Sequence, residues 1–188
     1  TADKTNALGS INTASASYAT AIGYQNTVSS SYSTAVGLGN NANTISSATA
    51  FGKTNTSSGS QASAFGNSNQ SSGSSASAFG RSNIASNTNT NAFGFSNSAS
   101  AASASAFGVS NTASASGASA FGNSITNAVA NSAMFGPADT AKLTINTGGF
   151  AGFGTTTPQW LLQLASSTKP QLALSDGSLT SDHWTFRN

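Results

Sequence analysis

The sequence contains no cysteine. That excludes a disulfide framework and any thiolate metal site, and it fits an exported protein that avoids redox chemistry. Glutamate is also absent, and the acidic residues are four scattered aspartates, Asp3, Asp139, Asp176 and Asp182. A paired-carboxylate site is therefore not expected. His183 is the single histidine and has only Asp182 beside it as a partner for base or metal chemistry, so it reads as an ordinary polar residue near the chain end. Charged residues make up 5% of the 188 residues, against roughly 25% in typical soluble proteins. Between residues 5 and 138 only Lys53 and Arg81 are charged. A nucleic-acid partner would require a basic stripe to neutralise phosphates, and none is present. No apolar run approaches the ~20 residues of a membrane helix. The glycines do not form a phosphate-binding loop, since none opens a helix after a strand in the G-x-G-x-x-G pattern. Serine is abundant, but no base accompanies it, so nucleophilic catalysis is not expected either. The chain reads as non-enzymatic and without a cofactor.

What is present is a repeat. A small residue, an apolar residue and glycine recur as Ala7-Leu8-Gly9, Ala21-Ile22-Gly23 and Ala35-Val36-Gly37. Phenylalanine then takes the middle place in seven further copies, from Phe51 through Phe65, Phe79, Phe93, Phe107 and Phe121 to Phe135. The glycines lie fourteen residues apart except from Gly37 to Gly52, where the step is fifteen, which places one extra residue in a turn near Asn40 to Thr44. Three residues after each glycine stands asparagine: Asn12, Asn26, Asn40, Asn55, Asn69, Asn83, Asn97 and Asn111. Ile125 and Asp139 take that place in the last two copies. A disordered low-complexity linker has no need of such strict spacing.

The columns translate into geometry. Ala62, Ala64 and Gly66 alternate with Ser63 and Phe65, and side chains two apart on a strand share a face. One face is therefore all small and belongs inside a narrow coil, where a leucine does not fit. The expected fold is all-β, a parallel β-solenoid of about ten turns. Asparagine suits tight turns, because it tolerates left-handed backbone, and equivalent asparagines in stacked coils can form ladders. Leu8, Ile22, Val36 and the seven phenylalanines fall on the outside. Stacked about 4.8 Å apart, ten turns make a stripe of roughly 40–50 Å. The opposite phase, with rings inside a wider coil and alanine outside, explains the strict smallness of the alanine column less well, although a small outer face could serve close packing between chains.

A soluble monomer rarely leaves so long an apolar patch open. At roughly 1.5–3 kcal/mol for each large side chain buried, the stripe outweighs the alanine interior as a source of stability. The ten stripe residues are thus expected to form a chain–chain interface, most simply a homotrimer with three rings per layer on an axis.

The tandem Ala-x-Gly copies, interleaved with Ser, Asn and Ala over residues 5 to 137, resemble the head repeats of trimeric autotransporter adhesins of the YadA type. That family usually carries Val or Ile before the glycine, where phenylalanine dominates here. The resemblance implies a left-handed parallel β-roll, three chains side by side, an extracellular cell-surface location, and attachment to host, matrix or neighbouring cells.

After Gly136 the pattern changes, so residues 1–137 read as the β-roll domain and 138–188 as a small β-rich connector, interlocked between chains. Pro137 and Asp139 are expected to end the roll. Leu143 and Ile145, Phe150 to Gly154, Trp160 to Leu164, Gln171 to Leu174 and Trp184 to Phe186 read as short strands. No cap is evident at either end, which suggests a piece of a longer protein whose rods could join into filaments. The run from Gly149 to Pro158 resembles segments of phage tail fibres, which makes a virion shaft the main alternative. An ice-binding solenoid is a further one. The threonine column Thr13, Thr27, Thr56, Thr112, Thr126 and Thr140 is broken by Asn41, Gln70, Ile84 and Ser98, so the flat array needed for ice is interrupted.

Overall fold

The computed structural model describes residues 4–43, 46–137, 142–166, 172–174 and 184–186, the last two stretches by their backbone alone. Among them there is no helix. The chain forms a parallel β-solenoid in which each coil of about fourteen residues supplies one long and one short strand. Ten long strands, from Asn6–Ser10 to Ala133–Gly136, stack in parallel with like residues opposite one another. Thus Ala64 faces Ala78, Phe65 faces Phe79 and Gly66 faces Gly80. Nine short strands, from Thr13–Ala14 to Thr126–Asn127, form the second wall. The alternation of the sequence holds: in Ser63–Asn67 the inward Ala64 is buried and the flanking Ser63 and Phe65 are half-exposed.

The interior is thin. It is filled by alanine, by the asparagine column and by the second residue of each short strand, such as Val28, Ser57 and Ala85. Larger buried apolar side chains appear at its far end, where Ile125 replaces asparagine and Met134 replaces alanine. The glycines are not part of this filling. They are exposed or half-buried, and from Gly9 to Gly122 each is the fourth residue of its long strand, held at φ between 110° and 137°.

Left-handed residues recur every seven positions: Ile11, Tyr18, Gln25, Tyr32 and Gly39, then Ser47, Thr54, Gln61, Ser68 and onward to Asn131. Each coil is therefore two half-turns of seven. The single step of eight, from Gly39 to Ser47, carries the extra residue. Ser29 still bonds to Ala42 in the fourteen-residue register, whereas Ser47 N donates to Ser31 O one residue out of step. The insertion thus lies between Asn43 and Ser46. The asparagines themselves are not the left-handed positions, contrary to what their turn-forming habit suggests; the residue before each one is. Left-handed backbone costs about 1–2 kcal/mol per residue other than glycine. It is tolerated because its N–H donates to the neighbouring coil, as Ser68 N does to Lys53 O at 2.9 Å.

At the C-terminal end of the roll the long sheet continues past the last coil and ends on Leu162–Leu164 as its edge strand. Leu143–Ile145 pairs antiparallel with Ala133–Phe135 and covers the edge of the last coil. Ala151–Phe153 pairs antiparallel with that strand, and Leu162–Leu164 follows in parallel, giving a sheet of thirteen strands. This part of the C-terminal segment extends the solenoid sheet. Leu172–Leu174 and Trp184–Phe186 form a separate antiparallel pair. On the second wall Asn127 closes the stack: its side chain donates to Ser119 O and Ser132 O and accepts from Val129 N and Ser132 Oγ.

Candidate functional site

The long sheet carries the only extended aromatic array among the described residues. Its outer face holds three columns: a polar one (Thr20, Thr34, Ser63), the phenylalanine column, and a mixed one after each glycine (Tyr24, Lys53, Arg81, Phe95). The ten stripe residues all point outward. Leu8 is 67% exposed, Phe51 50% and Phe135 37%, and Ile22 also lies open. Val36 and Phe65, Phe79, Phe93, Phe107 and Phe121 are half-buried, the rings largely by one another.

The rings form a flat ladder. From Phe65 to Phe135 successive centroids lie 4.8–5.2 Å apart with planes within 4–11° of parallel. Phe51 joins at 5.9 Å and 18°. This spacing is that of neighbouring strands, so the backbone register positions the rings. The ladder does not stop with the coils. Phe135 stands opposite Leu143, Leu143 opposite Phe153, and Phe153 opposite Leu164. Sequence reasoning missed these three residues as members of the stripe. Their signal was their outward parity within strands that it did recognise.

Beneath the rings runs the asparagine ladder, which holds the register. Asn69 Nδ2 donates to Phe65 O and to Gly80 O, both at 2.8 Å. Its Oδ1 accepts from the backbone N–H of Asn83 at 3.0 Å. The same arrangement recurs from Asn12 to Asn111, and all but the half-buried Asn12 are fully enclosed. Each side chain thus donates to two carbonyls and accepts from one N–H inside the wall of the rod, where leaving such groups bare would be costly.

No group of three or more metal-ligating side chains occurs among the described residues. His183 and the four aspartates lie outside them. A shallow depression of about 270 Å³ beside the cap is lined by Val129, Asn146, Thr147 and the Thr156–Gln159 turn. Its best-placed amide, Asn146, is committed to that turn: it donates to Pro158 O and accepts from Gly148 N and Phe150 N. The depression offers no nucleophile with a base.

Compared with known proteins, the chain matches no family model and no curated protein.

Proposed function

We propose that this chain is a non-catalytic structural and adhesive segment of a trimeric extracellular surface fibre. The observation that carries the reading is the outward ladder of stacked rings on a solenoid whose interior is mostly alanine and asparagine. Such a rod gains little from its own core, and its largest apolar surface faces outward. Sister chains that bury this surface supply the missing stability, and a three-fold axis closes the assembly with no ladder left open. The uncharged Ser, Thr and Asn surface that remains outside then meets host, matrix or neighbouring-cell ligands. The resemblance of the repeats to adhesin heads supports the same setting.

The run from Gly149 to Pro158, which builds part of the cap, favours a second setting for the same rod, the shaft of a phage tail fibre. A membrane anchor encoded beside the rod would favour the first setting, and a baseplate-attachment or chaperone domain the second.

Light scattering coupled to size exclusion tests the reading. The expected molar mass is that of three chains. A stable monomer at micromolar concentration overturns it.

A further inference from the structure

The ladder that holds sister chains together does not by itself say how they are aligned. Seven successive rungs, Phe51 to Phe135, carry the same ring, and beyond Phe65 they do so at nearly constant spacing. Two such stripes slid past each other by one coil make almost the same contacts and lose them only at the ends. Register is weakly specified wherever a face repeats itself.

The cap breaks the repetition. The column beside the rings is polar along the coils, from Thr20 to Ser119, and turns apolar beyond them: Ala133 faces Ile145, Ile145 faces Ala151, and Ala151 faces Leu162. Ile145 is 41% and Leu162 61% exposed, beside Phe153 at 46%. Here the apolar face gains a second column on this side. On the opposite side of the rings Lys53 and Arg81 interrupt the apolar residues, which suits a solvated rim. With about 150–250 Å² per large aromatic side chain, the partly exposed face from Leu8 to Leu164 offers on the order of 900 Å² per chain, comparable with the ~800 Å² per partner of a standard interface. A copy running antiparallel would set the wide apolar cap against the first coils, where Asn6 and Thr20 flank the stripe. A parallel copy sets cap against cap.

We infer that the cap face built by Ile145, Phe153 and Leu162 docks on the same face of a second copy of this chain, parallel and in register, and fixes the axial alignment of the fibre. This rests on the reading that sister chains cover the ladder.

The absence of native cysteine allows a clean test on the full chain. Tagged Phe65→Cys copies are co-expressed with untagged Phe93→Cys copies, which differ by two coils, and are oxidised mildly. With the native cap, like-with-like cross-links form and mixed 65–93 cross-links stay at background. With Ile145→Ser and Leu162→Ser added in both copies, mixed cross-links rise to the level of like-with-like pairs while circular dichroism keeps the β signature. Leu162→Ser alone, at the more exposed of the two positions, moves the result in the same direction without touching Ile145. Mixed cross-links already abundant with the native cap, or still absent after its substitution in an oligomer of unchanged mass, overturn the inference and leave the fibre reading standing. A monomer without any cross-link brings down the fibre reading itself.

Discussion

The carbonyl oxygen of Gly80 occupies the space a Cβ on Gly66 would take. That oxygen cannot retreat, because Asn69 Nδ2 holds it at 2.8 Å. Gly66 also sits at φ 115°, outside the range of ordinary side chains. The glycine column is thus dictated twice, by conformation and by the neighbouring coil. Gly66→Ala is expected to destabilise the chain by about 3 kcal/mol or more, combining backbone strain with overpacking. A urea unfolding curve against wild type reads the loss. An unchanged midpoint would show that the strand relaxes freely.

The asparagine ladder makes a second demand. Removing the Asn69 side chain strands Phe65 O, Gly80 O and the Asn83 N–H within the wall of the rod. Each buried unsatisfied group costs about 1–3 kcal/mol, so Asn69→Ala is expected to lose about 3 kcal/mol or more. Asn67→Ala, two residues away and half-exposed on the outer face, is expected to stay near wild type. Equal effects of the two substitutions in a thermal melt would refute the assignment.

Much of the rod was legible because period-two alternation is a purely local signal. The smallness of Ala62 and Ala64 against Phe65 sorted inside from outside, and the short apolar runs near Leu143, Phe153, Leu162, Leu172 and Trp184 marked strands. The role of asparagine was less legible. Its turn propensity points to left-handed backbone, yet that conformation falls one residue earlier, on Thr54, Ser68 and Ser82. Neither Ile11, Tyr18 nor Thr54 advertises a positive φ; stacking between coils imposes it over local preference. The cap was recognised as strands but not as a continuation of the long sheet, because strand direction depends on the turn and not on the strand residues. The stripe's extension through Leu143 and Phe153 was lost with it.

That override makes a stabilising prediction. Thr54 is β-branched and held at φ 52°, a conformation that costs it about 1–2 kcal/mol. Its hydroxyl contacts only the exposed Ser68 Oγ at 3.0 Å, worth little in water. Thr54→Gly is expected to stabilise by up to about 1 kcal/mol once the added freedom of the unfolded chain is counted. Differential scanning calorimetry should show a higher Tm. A fall would mean that Thr54 contributes packing unseen in this geometry.

The ladder separates folding from assembly. In one chain Phe79 touches chiefly the rings of Phe65 and Phe93, at 4.8 and 4.9 Å, and each such contact contributes about 0.5–1.5 kcal/mol. Phe79→Asp therefore leaves a foldable coil, but it sets like charges together on any axis where the ladders meet, where desolvation is severe. The expected outcome is a monomer with an unchanged circular dichroism spectrum. Ala78→Leu does the reverse. Ala78 is wholly buried one residue away, and overpacking there costs about 1–3 kcal/mol or more whatever the assembly state. Because no charged residue stands in the ladder column, raising salt should leave wild-type assembly intact, and sulfate should strengthen it. An aspartate variant that keeps the wild-type mass in sedimentation equilibrium would show that the rings face solvent in the assembled protein, and the fibre would have to be held by another face.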